Sequence, residues 1–187
     1  MGSDDYAFWP IPYKQNTLRK CMECTDQSKL IDGVSHRVIT YRMTENIDMT
    51  SEEGINYAMD IVEQWKNEAP IVCWASLPCT WGSPYQDVNA KLFPANHEAR
   101  MKAHWNLFVA LHKNFMRLAE KIEEANGKII FEWPRKNALW SQPQVQHMIQ
   151  KYELRPVQVD GCMLGLVSEK GMKMQKGWTL MTNMPTM

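Results

Sequence analysis

The sequence predicts an α/β fold with a mostly parallel sheet, helices on both faces and a terminal antiparallel strand pair. Three observations lead there. Apolar runs rich in β-formers alternate with segments of helical period. Two of those runs, Ile71–Ala75 and Lys128–Trp133, are apolar enough to suit strands covered on both faces. The last two strand-like stretches, Arg155–Asp160 and Gly177–Thr182, have a Gly- and Lys-rich turn before the second of them. In a sheet of this kind, ligands bind outside the carboxyl ends of the strands.

A chain of 187 residues suits one main domain with its own core, without help from disulfides or metals. We divide it into an N-terminal arm, residues 1–17, and a single domain, residues 18–187. The 21 basic and 21 acidic residues cancel, which argues against a constitutive nucleic-acid coat protein. Charge is nonetheless uneven: residues 127–187 carry 8 Lys+Arg against 4 Asp+Glu, so this third is the one expected to face a polyanion. Five cysteines without secretory spacing, behind a polar start, point to a reducing compartment and an intracellular protein, nuclear or cytoplasmic. No apolar run approaches the ~20 residues that span a bilayer, so no membrane partner is expected.

Residues 4–17 are aromatic and proline-bearing (Tyr6, Phe8, Trp9, Pro10, Pro12, Tyr13), as in an extended arm. Thr17–Thr25 reads as a short strand, Asp26-Gln27-Ser28 as a polar turn, and Leu30-Ile31 as part of a short helix. Strand, turn and helix start are how nucleotide-binding units open, although no glycine precedes Gly33 here beyond Gly2. Cys21 and Cys24 form a lone CxxC, and with no second pair to complete a zinc site no metal is expected. Arg37–Arg42 is the next strand. Glu45 and Asp48 follow it, placed to accept hydrogen bonds from a ribose or an adenine amino group; ordinary solvated loop charge is the plain alternative.

Thr50-Ser51-Glu52-Glu53 opens a helix with capping-box character, and Ile55, Ala58, Met59, Val62 and Trp65 keep helical spacing to Lys66. The strand beginning at Ile71 stops at Leu77-Pro78-Cys79. It delivers one thiol to the rim of the sheet, or simply ends in a proline turn with an inert cysteine. A loop is expected through and beyond Asn89. A long helix then runs from His97 to Asn126 and is stopped by Gly127, with Met101, Trp105, Phe108, Leu111, Phe115, Leu118 and Ile122 as its core stripe. His97, Arg100, Lys102, His104 and Lys113 lie mostly off that stripe, on a solvated face or, in the first turns, against phosphates. Lys128–Trp133 is a strand ending on Glu132-Trp133-Pro134-Arg135, and a carboxylate there has few structural reasons to exist. A helix near Pro143–Tyr152 precedes the final strand pair.

On adjacent parallel strands, Cys79 and Glu132 would reach the same crevice. A thiol nucleophile beside a carboxyl group suits activation of a pyrimidine: sulfur adds to carbon 6, the carboxyl group hydrogen-bonds or protonates ring nitrogen 3, and carbon 5 becomes nucleophilic enough to take a methyl group. The base must first leave its stack.

Here the residues carry a resemblance. SLPCTWGSPYQDVN resembles the Pro-Cys loop of the cytosine-5 DNA methyltransferases, and IIFEWPR resembles their Glu-bearing strand end. The order PCT..S..Q..N, FEWPR...W, then GC..G with a basic turn and a TN end is similar to methyltransferase-like reading frames of eukaryotic retroelements and dinoflagellate genomes, over roughly Lys20–Asn183. The resemblance implies a Rossmann-like S-adenosylmethionine-dependent methyltransferase fold. It implies Cys79 as nucleophile, Pro78 shaping its loop, and Glu132 holding the flipped cytosine with Arg135 and Ser83 nearby. Gln86, Asn89 and Lys176 fall on the substrate side. Glu23, Thr25, Asp26, Ser28, Glu45, Asp48 and Ser76 fall around S-adenosyl-L-methionine, with MECTDQS as the cofactor segment and Asp48 at the adenine. The expected partner is nucleic acid, DNA before RNA.

The departures have consequences. The Phe-x-Gly-x-Gly cofactor turn is absent, the closing Gln-x-Arg-x-Arg element reads Gln175-Lys176-Gly177-Trp178, and no target-recognition domain is expected. Target selectivity is then low or supplied by a partner protein. Two other readings stand beside this one: a catalytically silent methyltransferase-like module that binds nucleic acid or protein, and an RNA cytosine methyltransferase.

Overall fold

The computed structural model describes residues 24–31, 34–43 and 47–185, with side chains from Val38 onward. The elements, in order, are β1 (Cys24–Ile31), β2 (Val34–Tyr41), α1 (Glu52–Trp65), β3 (Val72–Ala75), α2 (Gln86–Leu92), α3 (His97–Glu124), β4 (Lys128–Pro134), α4 (Pro143–Lys151), β5 (Arg155–Asp160) and β6 (Gly177–Thr182). Short 3-10 turns at Thr80–Gly82, Pro94–Asn96, Ala138–Ser141 and Gly161–Leu164 punctuate the chain. The described residues fall into two compact units: one from the described part of Met1–Cys73 with Arg117–Gly127, the other from Trp74–Met116 with the described part of Lys128–Met187. The expected arm, residues 1–17, lies outside the described residues, as do Cys21, Glu23 and Glu45.

The class is α/β, but two expectations are corrected. Asp26-Gln27-Ser28 is no turn and Leu30-Ile31 no helix: all five belong to β1, which pairs antiparallel with β2 in an eight-residue ladder from Cys24↔Tyr41 to Ile31↔Val34. The physical reason is legible afterwards. The segment has no apolar stripe of helical period, and the two residues between the paired ends are Asp32-Gly33, the dipeptide two-residue hairpins favour. The second correction concerns the main sheet, whose order is β3-β4-β6-β5. It is mixed, with one parallel pair, β3 with β4, while β6 pairs antiparallel with both β4 and β5. A parallel neighbour needs a crossover, usually through a helix. Gly161–Lys176 supplies none, so the chain returns beside β5 in the opposite sense and enters between β4 and β5. The terminal antiparallel pair is as expected.

In the first unit, Ser51 caps α1 by accepting from the Gly54 amide at 3.0 Å. The third helical residue is this glycine, so the cap is one-sided rather than a full capping box. The apolar face of α1 buries Ile61 and Trp65 against Ile39, and the Trp65 indole donates to the Tyr41 hydroxyl at 3.1 Å. The end of α3 carries Arg117, which forms a two-pronged ion pair with Glu52 at 2.8 and 2.9 Å. Asn126 (φ 53°) takes the left-handed position there, and the Gly127 amide returns to the Ile122 carbonyl at 2.8 Å.

In the second unit, a chain of aromatic rings forms the core. Trp105 lies 5.4 Å from Phe108, Phe108 lies 5.9 Å from Trp133, and Trp133 meets Phe131 edge-on at 4.7 Å. Phe131 also packs on Phe115 at 5.2 Å. Such tilted pairs add about 0.5–1.5 kcal/mol each beyond area burial. The segment after the Pro-Cys loop is not an open loop, because Gln86–Leu92 forms α2.

The buried face of α3 also takes in His112, which the sequence reading passed over. It is 5 % exposed, its ring lies 5.5 Å from Phe108, and its Nε2 has no hydrogen-bond partner among the described residues. Burial, and then the charge of His147, push this imidazole down from 6.5 to about 4. The unfolded chain therefore takes up a proton that the folded chain refuses. Stability from this group is complete above pH ~6.5 and is lost as pH falls toward ~4, a change of about 3 kcal/mol. Thermal melts across that interval should show a steeper loss for the parent than for His112→Leu; parallel curves would mean that His112 is not held neutral by burial.

Candidate functional site

The site starts where β3 ends. Beyond Ala75 the chain leaves the sheet, and three carbonyls of the next stretch are fastened by donors from elsewhere in the second unit. The Trp133 indole donates to the Leu77 carbonyl at 2.6 Å. Asn137 Nδ2 donates to the Cys79 carbonyl at 2.8 Å, and the Gly82 amide reaches the same oxygen at 3.1 Å. Gln86 Nε2 donates to the Thr80 carbonyl at 2.8 Å. Pro78 contributes a fixed φ and no amide to satisfy. Cys79 is thus held, half-buried, at φ −104° and ψ 8°, in the bridge region where many active-site residues sit.

Glu132 comes from β4, the parallel neighbour of β3. Along β4 the side chains of Phe131 and Trp133 are buried and that of Glu132 is half-buried. Its Oε2 accepts a hydrogen bond from Ser76 Oγ at 2.6 Å. Cys79 and Glu132 interact electrostatically. Burial pushes the Cys79 thiol above its ordinary range and the Glu132 carboxylate adds to that, while the backbone amide and Lys176 pull the other way. The resting sulfur is therefore a protonated thiol at neutral pH.

The remaining expected residues take up varied positions. Arg135 pairs with Asp160 at 3.0 Å, and its amide donates to the Gly177 carbonyl at 3.0 Å, tying the end of β4 to the turns beside it. Lys176 lies over the Trp178 ring at 5.0 Å. Ser83 accepts from the Tyr85 amide at 3.3 Å, and Asn89 donates to Gln86 at 3.3 Å, so Ser83, Gln86 and Asn89 brace the Cys79 loop. Ser76, expected on the cofactor side, is bonded to Glu132. All of these belong to the second unit.

The other described cofactor candidates, Thr25, Asp26, Ser28 and Asp48, belong to the first unit. Thr25, Asp26 and Ser28 are ladder residues of β1, opposite Thr40, Ile39 and Arg37. Asp48 Oδ1 accepts from the Thr50 hydroxyl at 2.6 Å and its amide at 2.8 Å, which holds its carboxyl below the usual range and shapes the entry to α1. Asp26 and Ser28 thus lie in a strand and not in the polar turn expected of the cofactor segment.

Sequence reasoning missed Asn137 and Gly82. Asn137 is buried, and its Oδ1 accepts from the Leu139 amide at 3.0 Å while its Nδ2 holds Cys79. A Cβ on Gly82 would sit 2.0 Å from that Oδ1, so only glycine allows the approach. The available signal was an Asn two residues before Leu139 in a capping position. Among known proteins, the chain matches no family model, no curated protein and no solved structure.

Proposed function

We propose that this chain is a compact cytosine-5 DNA methyltransferase built on a Rossmann-like methyltransferase sheet, with Cys79 as nucleophile and Glu132 as the group that holds the flipped cytosine. The observation that carries this reading is the pair itself, a thiol and a carboxyl at the carboxyl ends of two adjacent parallel strands, close enough for each charge to act on the other. The antiparallel pairing of β6 with β5 supports the fold assignment, because a terminal antiparallel pair is part of the sheet that the sequence predicts.

The chemistry derives from the chain's own residues. The Cys79 sulfur, after losing its proton to solvent, bonds to carbon 6; the electron pair of the 5,6 double bond shifts between carbons 5 and 4 and displaces the carbon 4–nitrogen 3 pair onto nitrogen 3, which Glu132 hydrogen-bonds or protonates. Carbon 5 is then nucleophilic. It takes up an electrophile, a deuteron from deuterated water or a methyl group from a donor; the original carbon-5 proton then leaves to solvent and the sulfur is expelled as thiolate, which regains a proton, restoring the aromatic base and the thiol. Ser76, holding one carboxyl oxygen, orients the other toward the ring. The methyl donor implied by the resemblance is S-adenosyl-L-methionine; because β1 replaces the expected cofactor turn, we derive no step through it.

The addition step can be read without any cofactor. A DNA oligonucleotide incubated with the protein in deuterated water should gain deuterium at cytosine carbon 5, and Cys79→Ala should lose this exchange. A 5-fluorocytosine oligonucleotide should then trap a covalent adduct when S-adenosyl-L-methionine is present. Absence of both exchange and adduct in the parent would sink the enzyme reading. In that case the silent nucleic-acid-binding module, favoured by the β1–β2 ladder where a cofactor turn was expected, takes its place. Parallel RNA oligonucleotides decide the substrate.

A further inference from the structure

β3, β4 and β5 point the same way, because β3 is parallel to β4 and β6 is antiparallel to both β4 and β5. Their carboxyl ends therefore share one sheet edge. From that edge, sixteen residues leave β5 after Asp160 and rejoin the sheet at Gly177, the first residue of β6. Arg135, three residues beyond Glu132, donates its amide to Gly177, so the root of this excursion adjoins the strand end that carries the carboxylate.

The excursion is a folded finger. Its base is closed by the Gly161 amide on the Lys176 carbonyl at 2.8 Å, and its middle by Met174 on Leu166 at 2.9 Å. Val167 bridges Lys173, and a tight turn from Ser168 to Gly171 (φ 73°) forms the tip. Here the outward side chains include Met163 (81 % exposed), Leu164, Val167, Met172 (65 %) and Met174. Lys170 and Lys173 stand among them and Lys176 at the root, against one acidic residue, Glu169.

We infer that the Gly161–Lys176 finger is a nucleic-acid clamp, its lysines on the phosphates flanking the cytosine at Cys79 and its exposed methionines and Leu164 against the bases. The partner class follows from the mixture. Lysines release condensed counterions from a phosphate backbone, and flexible apolar side chains at the same place suit bases that have been partly unstacked. Unstacking is also what chemistry on a cytosine requires. The clamp rests on the nucleic-acid part of the functional reading, but not on its catalytic part.

The test uses the full chain and a fluorescein-labelled DNA duplex, followed by anisotropy over a salt series. The parent should bind with a salt-dependent constant. Lys170→Gln with Lys173→Gln should flatten the slope of log K against log salt by about 2, since each phosphate that a lysine no longer neutralises is worth roughly 0.9. Lys170→Arg with Lys173→Arg should keep the parent slope. Met163→Ser with Met172→Ser should weaken binding severalfold at an unchanged slope. Circular dichroism of every variant guards against misfolding, and all four side chains are exposed. An unchanged slope in the glutamine variant, or no duplex binding by the parent, overturns the clamp. Finger-dependent binding to phosphatidylserine vesicles in place of the duplex overturns it as well. Finger-dependent duplex binding with neither deuterium exchange nor covalent adduct leaves the clamp standing and removes the enzyme. Exchange by a protein whose duplex binding ignores the finger does the reverse.

Discussion

Glu132→Gln is expected to slow carbon-5 exchange on cytosine by ~10²–10⁴-fold, the range for loss of a positioned acid-base group, while making the Cys79 thiol easier to alkylate. The two readouts move in opposite directions for one physical reason. The carboxylate raises the thiol because a negative neighbour disfavours a second negative charge, so its removal lowers the pH at which thiolate forms. Burial is the larger cause and stays in place, so the alkylation profile moves part of the way toward an ordinary cysteine. Iodoacetamide labelling against pH, read on the Cys79 peptide by mass spectrometry, separates this thiol from Cys73 and Cys162. Cys73 is pushed up to about 12 by burial and should stay silent. The glutamine side chain can still accept from Ser76, so the loop geometry survives the change. If exchange and alkylation both fell, Glu132 would be a structural strut and not the electrostatic partner of the thiol.

Gly82→Ala is expected to cost about 3 kcal/mol or more, although it adds one methyl group. The new Cβ would lie 2.0 Å from Asn137 Oδ1, 2.9 Å from its Cγ and 2.7 Å from the Leu139 amide. Asn137 cannot give way cheaply, because both ends of its amide are engaged and buried. Displacing it leaves the Leu139 amide without this acceptor and the Cys79 carbonyl without one of its donors, at about 1–3 kcal/mol each. Urea denaturation should show the loss as a lower midpoint, and the deuterium exchange expected of the proposed function should fall with it as Cys79 drifts. Asn137→Ala opens the space that the methyl group needs. The double variant should therefore cost clearly less than the sum of the single changes; strict additivity would refute the close approach of the two residues.

What the sequence disclosed depended on how local each signal was. α1 and α3 were legible because their apolar residues recur within one helix. β3 and β4 were legible because their apolar runs end abruptly on Pro78-Cys79 and Glu132. That those two ends meet was an expectation conditional on adjacent parallel strands, and β3 and β4 are adjacent and parallel. The hairpin β1–β2 escaped because Thr25–Ser28 is polar enough to pass for a turn, while the Asp32-Gly33 signal lay several residues further on. The sheet order escaped because nothing local tells β6 to enter between β4 and β5. The braces of the site escaped for the same reason: Ser76 meets Glu132 across 56 residues, and Asn137 meets Cys79 across 58. Side chains chosen for a partner so far along the chain leave no periodic trace.

The place of β6 also sets the order in which the protein can assemble on the ribosome. It is the last strand to be made among those described, yet it occupies an interior position, bonded on one side to β4 and on the other to β5. Until Gly177–Thr182 has emerged, β4 presents an open edge and β5 has no strand to pair with. Open edges of apolar strands invite wrong partners. Glu132 lies opposite Leu180, so the carboxylate gains its fixed backbone only when that strand docks. A nascent chain of this protein therefore carries its thiol long before it carries a site.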